Sequence, residues 1–191
     1  MEHREIEIKL RMDTPRARVA ARLRSLGATL RRPRHFEDNY IVDDRKGSIA
    51  RSGSLLRVRL APPAATLTYK GPRRIVRGAK SRAEMETEIS DGNALLKALE
   101  RIGFRCTFRY QKYRTLYRCG SVLIALDETP IGNYIEVEGS PAGIERISRK
   151  LGFARGDFIT GTYYELFHLY GRANHIRSKH MVFGIEASRK D

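Results

Sequence analysis

The chain has 191 residues, 41% of them hydrophobic, and 37 Lys and Arg against 22 Asp and Glu give a formal net charge of +15 at pH 7. That length suits one full domain with a real core and is short for two, and the charge points to anionic partners such as nucleic acid, polyphosphate or nucleotides. The absence of an apolar run of about 18 residues argues against a membrane helix, and the charged start argues against secretion. Cys106 and Cys119 could pair, but two cysteines without a CxxC or Cys/His cluster fit a reduced, cytoplasmic protein without zinc better.

Residues 4–11 alternate as a strand, and Asp13-Thr14-Pro15 opens a helix whose apolar stripe is Val19, Leu23 and Leu26, ended by Gly27. Residues 34–43 read as extended, 47–53 as a turn, and 55–60 as a strand broken by Pro62-Pro63. A short strand at 66–70 closes at Gly71-Pro72, and the basic stretch 72–80 reads as a mobile loop. Residues 82–89 alternate strictly. Asp91 then caps a helix over 92–102, with Leu95, Leu96 and Leu99 inward and Gly103 as its stop. A long aromatic and basic strand over 104–118 turns tightly at Cys119-Gly120-Ser121 into 122–127. The chain turns again at 130–132 into a strand at 134–139. Ser140-Pro141 opens a helix to about Leu151, and 160–170 reads as the last helix.

Residues 171–191 are polar and basic and read as a tail, which leaves 1–170 as the folded domain. About eight closely spaced strands with three or four helices predict an α+β fold: an eight-stranded antiparallel β-barrel with helices packed outside.

Side chains alternate between the faces of a strand. Glu5, Glu7 and Lys9 therefore share a face, as do Arg57 and Arg59, Thr66, Thr68 and Lys70, and Arg82, Glu84, Glu86 and Glu88. Lys112 with Arg114, and Glu136 with Glu138, repeat the pattern; Asp127 fits it less cleanly, on a face with Leu123 and Ala125. A solvated sheet face would explain any one of these strands, but such faces use Ser, Thr, Gln and Lys freely. Repetition in nearly every strand points instead to a charged tunnel lining. The acidic pairs suit a hard ion, Mg²⁺ or Mn²⁺. Lys9, Arg57, Arg59, Lys70, Lys112 and Arg114 suit phosphate oxygens, and about six cations match a triphosphate better than a monophosphate.

Glu5-Ile6-Glu7-Ile8-Lys9 resembles the ExExK signature of the CYTH, or triphosphate tunnel metalloenzyme, superfamily. Further segments match in order: Leu56-Arg57-Val58-Arg59, Thr68-Tyr69-Lys70-Gly71-Pro72, Arg82 with Glu84, Glu86 and Glu88, and Gln111-Lys112-Tyr113-Arg114. Leu126-Asp127-Glu128-Thr129-Pro130-Ile131-Gly132, Ile135-Glu136-Val137-Glu138-Gly139 and Thr162-Tyr163-Tyr164-Glu165-Leu166 complete the set over roughly residues 1–170. ExExK alone is a weak signal; the ordered set is specific, and it looks closest to the class IV adenylyl cyclase-like branch. One departure is Ala83, where similar sequences often carry a further Glu, at a position expected to face away from the tunnel.

The resemblance implies a divalent metal held by carboxylates drawn from Glu5, Glu7, Asp127, Glu136 and Glu138. It implies Lys9, Arg59, Lys70 and Arg114 as catalytic cations, with Arg57, Arg82 and Lys112 completing the substrate-binding set. It also implies one of two reactions: cyclisation of ATP to cyclic AMP and pyrophosphate, or hydrolysis of inorganic triphosphate, thiamine triphosphate or nucleoside triphosphates. His35-Phe36 and Tyr40 are candidates to stack on adenine, against a plainer role as strand and rim residues. Glu84, Glu86 and Glu88 either hold the basic cluster or contact a second metal. A third reading is a non-catalytic module binding polyphosphate or RNA. The acidic pairs argue against it, so nucleic acid is not expected as a partner; a homodimer is compatible with the sequence.

Overall fold

A computed structural model describes residues 3–184. Its strands are β1 (His3–Arg11), β2 (Thr29–Asp44), β3 (Leu55–Ala61), β4 (Ala64–Lys70), β5 (Arg74–Val76), β6 (Ala79–Ile89), β7 (Phe104–Cys119), β8 (Val122–Thr129) and β9 (Gly132–Glu138). Its helices are α1 (Arg16–Ser25), α2 (Ser48–Arg51), α3 (Gly92–Arg101), α4 (Pro141–Lys150) and α5 (Tyr163–Ala173). The strands run in the order β1-β9-β8-β7-β2-β3-β4-β6, all antiparallel, and β6 pairs back to β1, which closes an eight-stranded barrel. Closure leaves no long free edge, and the short β5 hangs outside on β6.

The alternation of apolar and charged residues decides which face packs. Ile8, Leu10, Ile124, Leu126, Ile135 and Val137 point outward and are buried beneath Val19 and Leu23 of α1 and Ile144 and Ile147 of α4. Each fully covered Leu or Ile contributes about 1.5–3 kcal/mol. Helix starts are defined by short polar caps: Asp91 accepts from Ala94 N–H at 2.9 Å, and Ser140 accepts from Gly143 N–H at 3.1 Å. Thr162 and Glu165 form a reciprocal capping box at α5. The leucines of α3 are only half-buried. Its closest approach is at Gly92, where a Cβ would come within 2.4 Å of Leu60. No helix among the described residues is long and apolar enough to cross a membrane, and neither Cys106 nor Cys119 is in a disulfide.

Several local expectations change. The stretch 72–80, read as a mobile loop, contains β5, hairpinned to β6 through Arg77 and Gly78, which both have positive φ. The turn at 47–53 contains the short α2, and β2 is several residues longer than its extended core. Beyond Tyr170, α5 continues to Ala173. Met181 is fully buried, exchanging backbone hydrogen bonds with β7 at Arg109 and Gln111. Of the tail, 185–191 lie outside the described residues.

A second core is aromatic: Phe108, Tyr110 and Tyr134 pack against Tyr163 and Phe167 of α5 and against Met181. Tyr110 and Tyr134 share strand parity with Lys112 and Glu136, so α5 lies over the inner face of the barrel and stops one end of it.

Candidate functional site

Strand register collects the ionic residues inside. The carboxylates facing the bore are Glu5, Glu7, Glu37, Glu84, Glu86, Asp127, Glu136 and Glu138. The cations facing it are Lys9, Arg57, Arg59, Lys70, Lys80, Arg82, Lys112 and Arg114. Glu88 extends the row at an exposed position. Ala83 points away, as expected, opposite Arg4.

The charges are segregated. One wall is cationic. Lys112 donates to Asp127 at 2.8 Å, and Arg114 grips the same carboxylate through Nε and Nη2 at 2.7 and 2.6 Å. Tyr163 donates its hydroxyl to Asp127 at 2.7 Å, so this wholly buried carboxylate is occupied on both oxygens. Glu136 pairs with Arg114, with Lys9 at 3.3 Å and with Lys112 at 4.0 Å. Burial alone would raise Glu136, but Arg114, Lys112 and Lys9 hold it below the usual carboxylate range. Glu37 ties Arg59, at 3.4 Å, to Lys112, at 3.6 Å. The ring of Tyr163 lies 5.1 Å from both the Lys9 and the Lys112 ammonium groups, a cation–π arrangement on each side.

Two arginines on this wall keep nitrogens for a ligand. Arg57 donates to Thr68 at 3.1 Å and to Tyr110 and Glu86 at 3.4 Å, and its buried Nε has no partner among the described residues. Arg59 spends only Nε, on Asn39 at 2.9 Å and Glu37 at 3.4 Å; among the described residues its two terminal nitrogens have no hydrogen-bond partner. A buried unpartnered guanidinium nitrogen is costly unless an acceptor arrives.

The other region is acidic. Lys70 donates to both oxygens of Glu5 at 2.6 Å and lies 3.2 Å from Glu84. Lys80 pairs with Glu7, which also accepts from Lys9 at 3.2 Å. Burial would raise Glu7, but Lys9 and Lys80 keep it well below its ordinary value; burial and the charge of Glu7 push Glu5 up. Among the described residues Glu138 has no cation in contact, and burial with the charges of Glu5 and Glu7 pushes it up to about 7. Among the described residues no three His, Cys, Asp or Glu side chains stand grouped as a metal cage. The donor chemistry nevertheless fits a divalent ion at Glu5, Glu7 and Glu138: carboxylate oxygens with negative charge that Lys70 and Lys80 offset only in part.

The raised Glu138 has a consequence for pH. A carboxyl with a raised folded value stabilises while it stays protonated: the contribution is full below about 4.5 and is lost as pH rises through about 7. Without metal, stability is expected to fall over that window. Glu138→Gln should remove most of the slope, worth about 1–3 kcal/mol near pH 8 in urea melts. An unchanged slope would show that Glu138 ionises freely.

Arg82 stands apart from the substrate cations. It is buried, but Nε and Nη2 are committed to the backbone carbonyls of Gly71 at 2.6 Å and Gly53 at 2.7 Å, where they clamp two loops. Phe36 and Tyr40, considered as adenine stackers, face out of the tunnel. Phe36 packs on Tyr113 and Phe183, and Tyr40 donates to Asp38 beneath Arg109. His35 faces inward, 3.3 Å from Glu37. Glu37, Lys80 and the inward role of Tyr163 escaped the sequence reading. Lys80 shares parity with Arg82 and would have emerged had the alternation been followed two residues upstream.

Comparison with known proteins agrees with this geometry. A Methanocaldococcus jannaschii protein named a putative adenylate cyclase is 26% identical over 174 residues, covering 85% of this chain and 97% of that protein. A Vibrio parahaemolyticus structure described as a putative adenylate cyclase superposes with a TM-score of 0.75 at 18% identity, over 86% of this chain and 97% of that one. A Hippeastrum structure, described as a putative adenylyl cyclase with a dominant triphosphatase activity, does so with a TM-score of 0.61 at 23% identity, over 86% and 95%. At these identities the two structures share the fold. The CYTH-domain profile matches residues 3–163, and the chain belongs to the CYTH family.

Proposed function

We propose that the tunnel binds a triphosphate group together with Mg²⁺ or Mn²⁺, and that its reaction is hydrolysis of that triphosphate. One observation carries this reading: a cationic wall with unspent guanidinium nitrogens faces a carboxylate cluster that is short of positive charge. Lys9, Arg57, Arg59, Lys112 and Arg114 bind and align the phosphates, held in place by Glu37, Asp127 and Glu136. Glu5, Glu7 and Glu138 would hold the ion, which when bound polarises a phosphoryl oxygen and neutralises developing charge. Asp127 and Glu136 act as anchors of the cations rather than as metal ligands, and Arg82 as a holder of loops. Lys70 and Lys80 keep the carboxylate cluster compact until the ion arrives.

Hydrolysis is favoured over cyclisation because the walls recognise phosphate charge, while Phe36 and Tyr40 offer no stacking face to a base and the inward His35 is tied to Glu37 at 3.3 Å. Cyclisation of ATP is the second reading, supported by the name of the archaeal relative. Incubation with ATP, inorganic triphosphate and thiamine triphosphate in parallel, with Mg²⁺ or Mn²⁺, separates the readings. Orthophosphate release that EDTA abolishes is expected. Cyclic AMP with pyrophosphate would make the protein a cyclase, and anion binding without turnover would make it a binding module.

Arg59→Ala tests the phosphate wall. Loss of a charge-assisted contact of about 1.5–3 kcal/mol should weaken triphosphate binding by about 10- to 150-fold, and orthophosphate binding much less. An equal loss for both anions in calorimetric titrations would mean that the wall does not read phosphate length.

A further inference from the structure

The walls of the tunnel carry no excess positive charge, since its cations are matched by carboxylates. The surplus of basic residues among the described residues therefore lies outside the tunnel. A triphosphate in the tunnel does not account for it. Part of that excess is carried by α1 and α4, which cover the same apolar core. Arg18, Arg22 and Arg24 on α1, and Arg146, Arg149 and Lys150 on α4, are all exposed. The two helices touch directly, Arg22 Nε donating to the Lys150 carbonyl at 3.2 Å. Among the described residues none of the six makes an ion pair, and Glu145, the one acidic residue on either helix, is taken by Arg155 at 2.7 Å.

We propose that this outer face binds the phosphate backbone of double-stranded nucleic acid. Basic groups near helix C-termini do complement the helix dipole, but that is worth only about 0.3–1 kcal/mol per group and needs one or two of them, not six. Five of the six are arginines, whose planar fork grips phosphate oxygens in pairs. Each ten-residue helix is about 15 Å long, a length over which a duplex presents about nine phosphate charges. The exposed large hydrophobic residues lie elsewhere, none on α1 or α4. The face therefore lacks the aromatic platforms that hold single-stranded bases and the apolar wedge that enters lipid. Contacts from these cations to phosphate oxygens carry no sequence information, so the binding proposed is independent of sequence. This surface is separate from the tunnel and stands whether the tunnel hydrolyses or cyclises its substrate.

The test is fluorescence anisotropy of the full chain with a labelled duplex of about 20 base pairs, across a salt series from about 50 to 300 mM. The wild type should bind at low salt with log affinity falling linearly in log salt. Arg18→Ala/Arg22→Ala/Arg24→Ala, and independently Arg146→Ala/Arg149→Ala/Lys150→Ala, should each flatten that slope by about 1.8–2.7 and weaken low-salt binding by roughly 100-fold. Melting temperature and triphosphate turnover should stay at wild-type values, and saturating inorganic triphosphate should leave the duplex bound. The proposal is overturned if the wild type does not bind the duplex at about 50 mM salt, or if both triple variants bind like the wild type. It is equally overturned if triphosphate displaces the duplex, or if single strands or phosphatidylserine vesicles bind more tightly than the duplex.

Discussion

Glu7→Gln is expected to lower metal-dependent turnover by about 10³-fold or more, the scale of losing several kcal/mol of charge stabilisation at phosphorus. Glu7 lies where the two halves of the tunnel meet, accepting from Lys9 on the cationic side and pairing with Lys80 on the acidic side. Glutamine keeps the shape and one acceptor oxygen but removes the charge. Lys9 keeps Glu136 at 3.3 Å, whereas Lys80 is left facing an amide, so a stability loss of about 1–3 kcal/mol should accompany the change. Circular dichroism at the assay temperature separates the two effects, and Mn²⁺ binding followed by paramagnetic resonance should weaken in parallel with turnover. Full activity in the folded variant would remove Glu7 from the metal site.

The largest effect on stability is expected at Asp127. Its carboxylate is fully buried and accepts from Lys112, from two nitrogens of Arg114 and from the Tyr163 hydroxyl. Asparagine would neutralise it and turn a donor toward these donors, leaving buried cations short of an anion. Such broken networks cost about 3–5 kcal/mol, which would lower the urea midpoint by about 1.5–2.5 M. Tyr163→Phe removes a single hydrogen bond to the same oxygen and should cost only about 1 kcal/mol. A wild-type midpoint for Asp127→Asn would mean that Asp127 is dispensable to the wall.

These expectations rest on how much of the tunnel could be read from residue parity. Glu5, Glu7 and Lys9, Arg57 and Arg59, and Glu136 and Glu138 stand out because the alternate positions are Ile, Leu and Val, so only one assignment of faces buries the apolar set. Glu37 was hidden for the opposite reason. Polar residues occupy both parities of β2, with Glu37 and Asn39 inward and Asp38 and Tyr40 outward, and register shifts interrupt the strand. Lys80 was hidden because it stands at the start of β6, inside the basic stretch 72–80 that reads as a loop when three residues of β5 are too few for periodicity. The sign of that hairpin was the Arg77-Gly78 turn between Ile75-Val76 and Ala79. The role of α5 depends on tertiary packing. Its capping box marks where the helix begins, but nothing local indicates that Tyr163 enters the barrel and meets Asp127. Net charge said little about the site: +15 pointed to anionic partners in general, whereas the cations and carboxylates lining the tunnel balance.

The most direct measurement is a crystal structure of the full chain with Mn²⁺ and a non-hydrolysable triphosphate analogue, with the metal located by anomalous scattering. The expected result is a manganese peak at the Glu5, Glu7 and Glu138 carboxylates and phosphates lying against Lys9, Arg57, Arg59, Lys112 and Arg114. An analogue bound only on the outer surface, or a tunnel still closed by its own ion pairs at saturating ligand, would contradict it.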